Sequence, residues 1–221
     1  MSTVFRFILA GLAALLASLN GCGGGGGGST LSGIGGTGKI ASGTITGFGS
    51  IFVNDIEYDI DSASLEVNDD DSAGLSQDDL RIGMVVTVTA VVDGDTGVAS
   101  LVVYDNEIEG PVSGISELNG GLNKSFSVLG VGVLVDIADT EFDDGEVPGF
   151  SFATIANDDV VEISGFFDAS NVLHATYIKK TDDFDSDSEV EFKGTADVSL
   201  VDGAGSGDSF NLDGVTVNIL A

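Results

Sequence analysis

One cysteine, one histidine and 36 carboxylates are the side chains with which this 221-residue chain could do chemistry. A serine or cysteine nucleophile needs a general base beside it, and the sole histidine is His174. When the chain is aligned with itself, His174 falls on Ala99, so a base in one copy has no counterpart in the other. It reads as a strand residue on the solvent side. Zinc asks for a cluster of Cys and His ligands that single residues of each type cannot form. Acid pairs can be picked almost anywhere among so many carboxylates, so composition names no glycosidase-type pair. No catalytic residue is assigned, and the expectation is a protein that is not an enzyme.

The densest acidic run, Asp182 to Glu189, sets Asp183, Asp185 and Asp187 at alternate positions, as at the start of a calcium-binding loop. Ser188 stands where such a loop needs its glycine, and Gly194 where it needs a bidentate Glu. The run reads as a solvated, self-repelling linker, with weak calcium binding outside the cell as the sharper alternative. Asn68 to Asp71 and the pair Asp143-Asp144 read the same way. The six glycines after Cys22 follow no strand, open no helix and carry no Lys-Ser/Thr, so they make no phosphate cradle. Lys179-Lys180 is too small a basic patch to hold nucleic acid.

Composition points the same way. The 36 acidic and 7 basic side chains give a net charge of -29, which repels phosphate backbones and disfavours nucleic acid as a partner. With 33 Gly, no Trp and 7% aromatics, the apolar content is mostly Val, Ile, Leu and Ala, a mixture that favours short strands.

Cys22 takes its meaning from what surrounds it. Arg6 and the apolar run Phe7 to Leu19 have the layout of an export signal. Those 13 residues span about 20 Å as a helix, short of the hydrocarbon core of about 30 Å. Leu19-Asn20-Gly21-Cys22 resembles the lipobox of bacterial lipoproteins, which implies a diacylglycerol on the Cys22 thiol, cleavage before it, and anchoring in membrane lipid. The absence of Asp after the cysteine implies, by the same resemblance, the outer membrane, on its periplasmic or surface face. The glycine-rich stretch from Cys22 to Lys39 cannot bury side chains and loses much backbone entropy on ordering, so it reads as a tether of about 23 Å root-mean-square span.

An internal repeat organises the rest. Slid by 75 residues without a gap, Ile51–Tyr58 falls on Phe126–Val133, Val85–Ala90 on Val160–Gly165, and Val98 and Val103 on Leu173 and Ile178. At a further 84 residues, Phe210–Val217 matches the first block again. Apolar residues alternate around Asn54-Asp55, Leu129-Gly130 and Asp213-Gly214, the pattern of a tight hairpin. Each repeat thus opens with a strand (Ser42–Thr46, Pro111–Ile115, Thr195–Leu200), continues through the hairpin and an acidic loop, and closes with a longer pair. The closing pairs are Met84–Val92 with Val98–Tyr104 and Val160–Phe167 with Val172–Ile178. Five short half-buried strands suit a small closed barrel, OB-like or SH3-like, better than an open sheet with bare edges.

Ser42 to Asn54 (Ser-Gly-Thr-Ile-Thr-Gly-Phe-Gly-Ser-Ile-Phe-Val-Asn) and Gly83 to Val88 (Gly-Met-Val-Val-Thr-Val) carry a family resemblance. The chain resembles bacterial lipoproteins with a Cys-polyglycine start and tandem copies of a domain of unknown function, along essentially its whole length. The expected organisation is a signal peptide (1–21), lipidated Cys and tether (22–38), an all-β repeat one (39–106), repeat two (107–181), an acidic linker (182–188) and an incomplete repeat three (189–221). The third repeat stops before its later strands, and a fragment of a longer protein is the expected explanation, ahead of completion by another chain. The expected function is a non-enzymatic envelope module that acts as a spacer or binds an envelope polysaccharide or protein. A calcium-responsive adhesin is the alternative, and a carboxylate hydrolase a third. Replacing Cys22 with Ser is expected to move the protein from the membrane pellet to the soluble fraction; retention in the pellet after a high-salt wash would overturn the anchor.

Overall fold

The computed structural model describes residues 38–67, 75–183, 190–192, 209–212 and 215–218. Within them the chain is all-β, with one 3-10 turn at Gln77–Asp79 capped by Ser76. The first repeat supplies β1 (Gly38–Phe48), β2 (Ile51–Val53), β3 (Ile56–Asp59), β4 (Ser64–Val67), β5 (Val85–Asp93) and β6 (Thr96–Tyr104). Antiparallel pairing runs β3-β2-β1-β5-β6, and β3 then pairs parallel with β6. The path returns on itself, a barrel-like closure of five strands that leaves no free edge along the ring.

The second repeat builds the same circuit from β7 (Ile108–Leu118), β8 (Asn123–Val128), β9 (Val131–Asp136), β10 (Glu141–Asp143), β11 (Asp159–Phe167) and β12 (Leu173–Asp183). Here β9 closes onto β12 in parallel, as β3 closes onto β6. The local chemistry is reproduced too. Asn54 and Asp55 sit at φ 52° and 63°, Leu129 and Gly130 at φ 49° and 88°, the left-handed pair that a two-residue hairpin requires. Across each hairpin lies a glycine, Gly43 or Gly110, at matched register positions opposite Val86 and Val161. An added Cβ at Gly43 would run into the Asn54 side chain, and one at Gly110 would lie 3.0 Å from Leu129 Cγ. Glycine at both positions lets the side chain of the turn residue lie directly over the strand, where a Cβ would make it shift.

Three features differ from the sequence reading. The acidic stretch after each hairpin contains a short strand, β4 or β10, laid parallel on β6 or β12. Three or four residues are too few to show a period of two, and their partner lies far along the chain. β12 runs on through Asp182 and Asp183, paired with Val160 and Asp159, so these two belong to a strand and not to the linker. The ungapped match also fails in the last strand. Tyr58 faces Gly97 and Asp59 faces Val98, whereas Val133 faces Leu173 and Leu134 faces His174. His174 is therefore the counterpart of Val98, not of Ala99, because the β11–β12 turn is longer than the two-residue turn at Gly94-Asp95.

Of the third repeat, β13 (Glu191–Phe192) adds antiparallel to β7 at Glu109 and Ile108, and β14 (Ser209–Leu212) pairs antiparallel with β15 (Val215–Asn218), while the expected turn pair Asp213-Gly214 lies outside the described residues. The expected strand Thr195–Leu200 lies outside the described residues.

Each large sheet wraps its own core. Ile45, Ile51, Val53, Tyr58, Val86, Val88 and Val102 fill the first, and Ile108, Val128, Val133, Val161, Ile163 and Ile178 the second. Strand β11 breaks the alternation, being buried from Asp159 through Gly165 on both faces. An added Cβ on Gly165 would strike the His174 carbonyl on β12, so Gly165→Ala is expected to cost about 1–3 kcal/mol of overpacking. Chemical denaturation checks this: a loss within about 0.5 kcal/mol of zero would mean that the two strands do not approach this closely.

Candidate functional site

The second face of β11 is buried because the first repeat sits against it. Val85 N–H donates to Ser164 Oγ at 2.9 Å, and Thr176 Oγ1 donates to the Gly83 carbonyl at 2.6 Å. Gly83 has φ 91°, and a Cβ there would lie 2.5 Å from the Thr176 carbonyl, so only glycine allows the two repeats this close. Tyr177 of β12 is packed into the core of the first repeat, with its ring edge-on to Tyr104 at 6.4 Å and 86°. Burial pushes the hydroxyls of both tyrosines up, Asp143 adding to the shift at Tyr177, so both stay protonated at any working pH.

Asp143 ties the joint together from the side. It accepts from Tyr177 Oη at 2.7 Å and from Gly145 N–H at 2.7 Å, and pairs with Arg81 Nε of the first repeat at 3.3 Å. Arg81 is held in turn by the Asp78 and Leu80 carbonyls. Burial alone would raise the Asp143 carboxyl. The Tyr177 and Gly145 hydrogen bonds and the charges of Arg81 and Lys179 outweigh it and hold the group below the usual carboxylate range.

The same face of the second repeat is built differently. Gly83 is matched by the exposed Asp158 at φ 71°, which donates its N–H to the Val112 carbonyl as Gly83 N–H does to that of Ile45. Met84 and Tyr104 are matched by Asp159 and Lys180, which form an ion pair at 2.7 Å. Glycine, methionine and tyrosine on the first repeat are thus replaced by charged residues on the second.

Cations are spent inside the structure. Arg81 pairs with Asp143, Lys179 with Glu146 and Glu162, and Lys180 with Asp159. Lys124 is buried, donating to the Phe152 carbonyl at 2.6 Å and lying 4.8 Å from its ring centroid. Among the described residues, Lys39 is the cation left on the surface without such a partner.

The residues singled out from sequence are placed as follows. Cys22, Asp185 and Asp187 lie outside the described residues; Asp183 ends β12. His174 is exposed, as expected, with Nε2 3.2 Å from Asp168 Oδ2. That carboxylate also accepts the backbone N–H groups of Ser170 and Val172, which with His174 hold it below its ordinary range and brace the β11–β12 turn. Among the described residues no group of three His, Cys, Asp or Glu is arranged to hold a metal ion. A shallow groove on the first repeat, which sequence reasoning missed, brings Ser50, Glu57, Asp59 and Asp61 beside Val91 and Val98.

A family model described as Domain of unknown function (DUF5666) matches residues 109–179. The second repeat is thus a DUF5666 domain, bounded by β7 and β12. No curated protein and no solved structure matches the chain.

A carboxyl held below its ordinary value stabilises the fold fully above 3.8 and loses that contribution as pH falls through the lower folded value. The stability gap between the wild-type chain and Asp143→Asn, read by chemical denaturation, should stay constant from neutral pH to about 5 and close below about 4. A gap unchanged at low pH would remove Asp143 from the joint.

Proposed function

We propose that this chain is a lipid-anchored, non-enzymatic module of a bacterial envelope, probing or bridging the space beyond an outer membrane through tandem small barrels of OB-like or SH3-like build. In this reading the first repeat is a second, diverged copy of the DUF5666 domain, supported by its identical strand circuit and matched hairpin glycines. Cys22 and the glycine tether would hold the pair to membrane lipid, and the acidic surface would keep it clear of phosphate-rich partners.

The observation that carries the proposal is the joint. Two hydrogen bonds, the close approach at Gly83 and the insertion of Tyr177 make the repeats a single stiff unit, as a spacer or platform needs. Small-angle scattering tests it: Gly83→Ala, which drives a Cβ into the joint, should broaden the interatomic distance distribution, and superimposable profiles would overturn the stiff spacer. Co-sedimentation with purified envelope polysaccharides and envelope proteins separates platform from spacer. Turnover of a glycan or ester that disappears on replacing one carboxylate would sink the non-enzymatic reading.

A further inference from the structure

We infer that the groove on the outer face of the first repeat is a docking surface for a cationic, aliphatic segment of a partner protein. The inference deepens the platform reading and rests on it. Strand register sets Asp59, Val98 and Val91 in one row across β3, β6 and β5, since Asp59 faces Val98 and Val98 faces Val91. Glu57 faces Thr96 one step along the same surface, and Asp61 lies in the turn two residues past the end of β3. Val91 and Val98 are 52% and 55% exposed, and Ile40, two residues beyond the Gly38 that faces Val91, is 75% exposed. Aliphatic side chains thus stand in solvent beside three carboxylates, none of which forms an ion pair among the described residues.

The second repeat is an internal control for what the fold itself requires. With the same circuit, it carries Leu134, His174 and Phe166 where the first carries Asp59, Val98 and Val91, and Gly132 in place of Glu57. The strands close without an acidic row, so packing does not explain the acids. Charge decides the occupant. A second copy of this chain would bring its own net charge of -29 against the carboxylates, and an anionic lipid surface would be repelled likewise. A segment that presents Lys or Arg to Asp59 and Glu57, and aliphatic side chains to Val98 and Val91, meets both halves of the row. Strands lie about 4.8 Å apart, so the row from Asp59 to Val91 is about 10 Å long, within reach of an extended segment's side chains at i, i+2 and i+4.

Fluorescence anisotropy with the purified full chain and a labelled Lys-Thr-Val-Thr-Val-Thr-Lys peptide tests this. The peptide is expected to bind, to bind about tenfold more weakly when serines replace its valines, and to lose binding when glutamates replace its lysines. Chains carrying Asp59→Asn with Glu57→Gln, or Val98→Ser, should each bind about tenfold more weakly at unchanged melting temperature. Val91→Ser serves should either variant melt early, because its side chain is outside the core. Equal binding of the serine peptide would reduce the effect to diffuse electrostatics and overturn the site. So would sedimentation showing a dimer that Val98→Ser disperses. Either failure leaves the scattering and membrane-partition outcomes untouched, so the platform reading is judged separately.

Discussion

Two hydroxyls, on Ser164 and Thr176, hold the architecture together. Each satisfies a backbone group of the first repeat that would otherwise be buried without a partner, and leaving one unmade would cost about 1–3 kcal/mol. Their reach is short, so the backbones must come close, and that closeness is possible only because residue 83 is glycine. Once the repeats are that near, Tyr177 has no solvent to face and enters the neighbouring core, and Asp143 and Arg81 meet at its rim. The joint is therefore one linked arrangement, with the hydrogen bonds setting the distance and the tyrosine and ion pair filling what that distance encloses.

Charge is distributed by the same logic. A chain with 36 acids and 7 bases has few cations to place, and the structure uses Arg81, Lys124, Lys179 and Lys180 to neutralise or satisfy groups that are partly or fully buried. Buried carboxylates need such partners far more than exposed ones do. Among the described residues the exposed charge is left mostly anionic, and a surface of that kind selects partners by repelling most of them. The apolar row beside Asp59 is where attraction can add to that selection.

Much of the local fold was legible. Asn54-Asp55 and Leu129-Gly130 announced their hairpins because a left-handed pair tolerates few residues, and the alternation around them marked the strands. The closing pairs were found within a residue or two at every end but one, since β12 runs five residues past Ile178. Strands β4 and β10 were not, since their pairing is decided by distant partners. The one-residue offset at Leu173 and His174 was hidden because an ungapped match of apolar residues scores well even where a longer turn has moved the strand along. The expectation of half-buried strands failed at β11, where Glu162 and Ser164 are buried as well and Ser164 bonds to the first repeat. Asp59, Val91 and Val98 gave no signal of belonging together, because each comes from a different strand.

By itself the sequence determined which residues of most strands turn inward, where the chain must reverse, and the strong negative charge, because period, turn chemistry and composition are local properties. Only the tertiary structure decided which strand closes each ring, that one repeat stacks on the other through Gly83, and that acids and valines share a groove. A period of two says that a side chain faces in or out, but not what lies on the far side; that is settled when separate strands, each with its own register, are brought together.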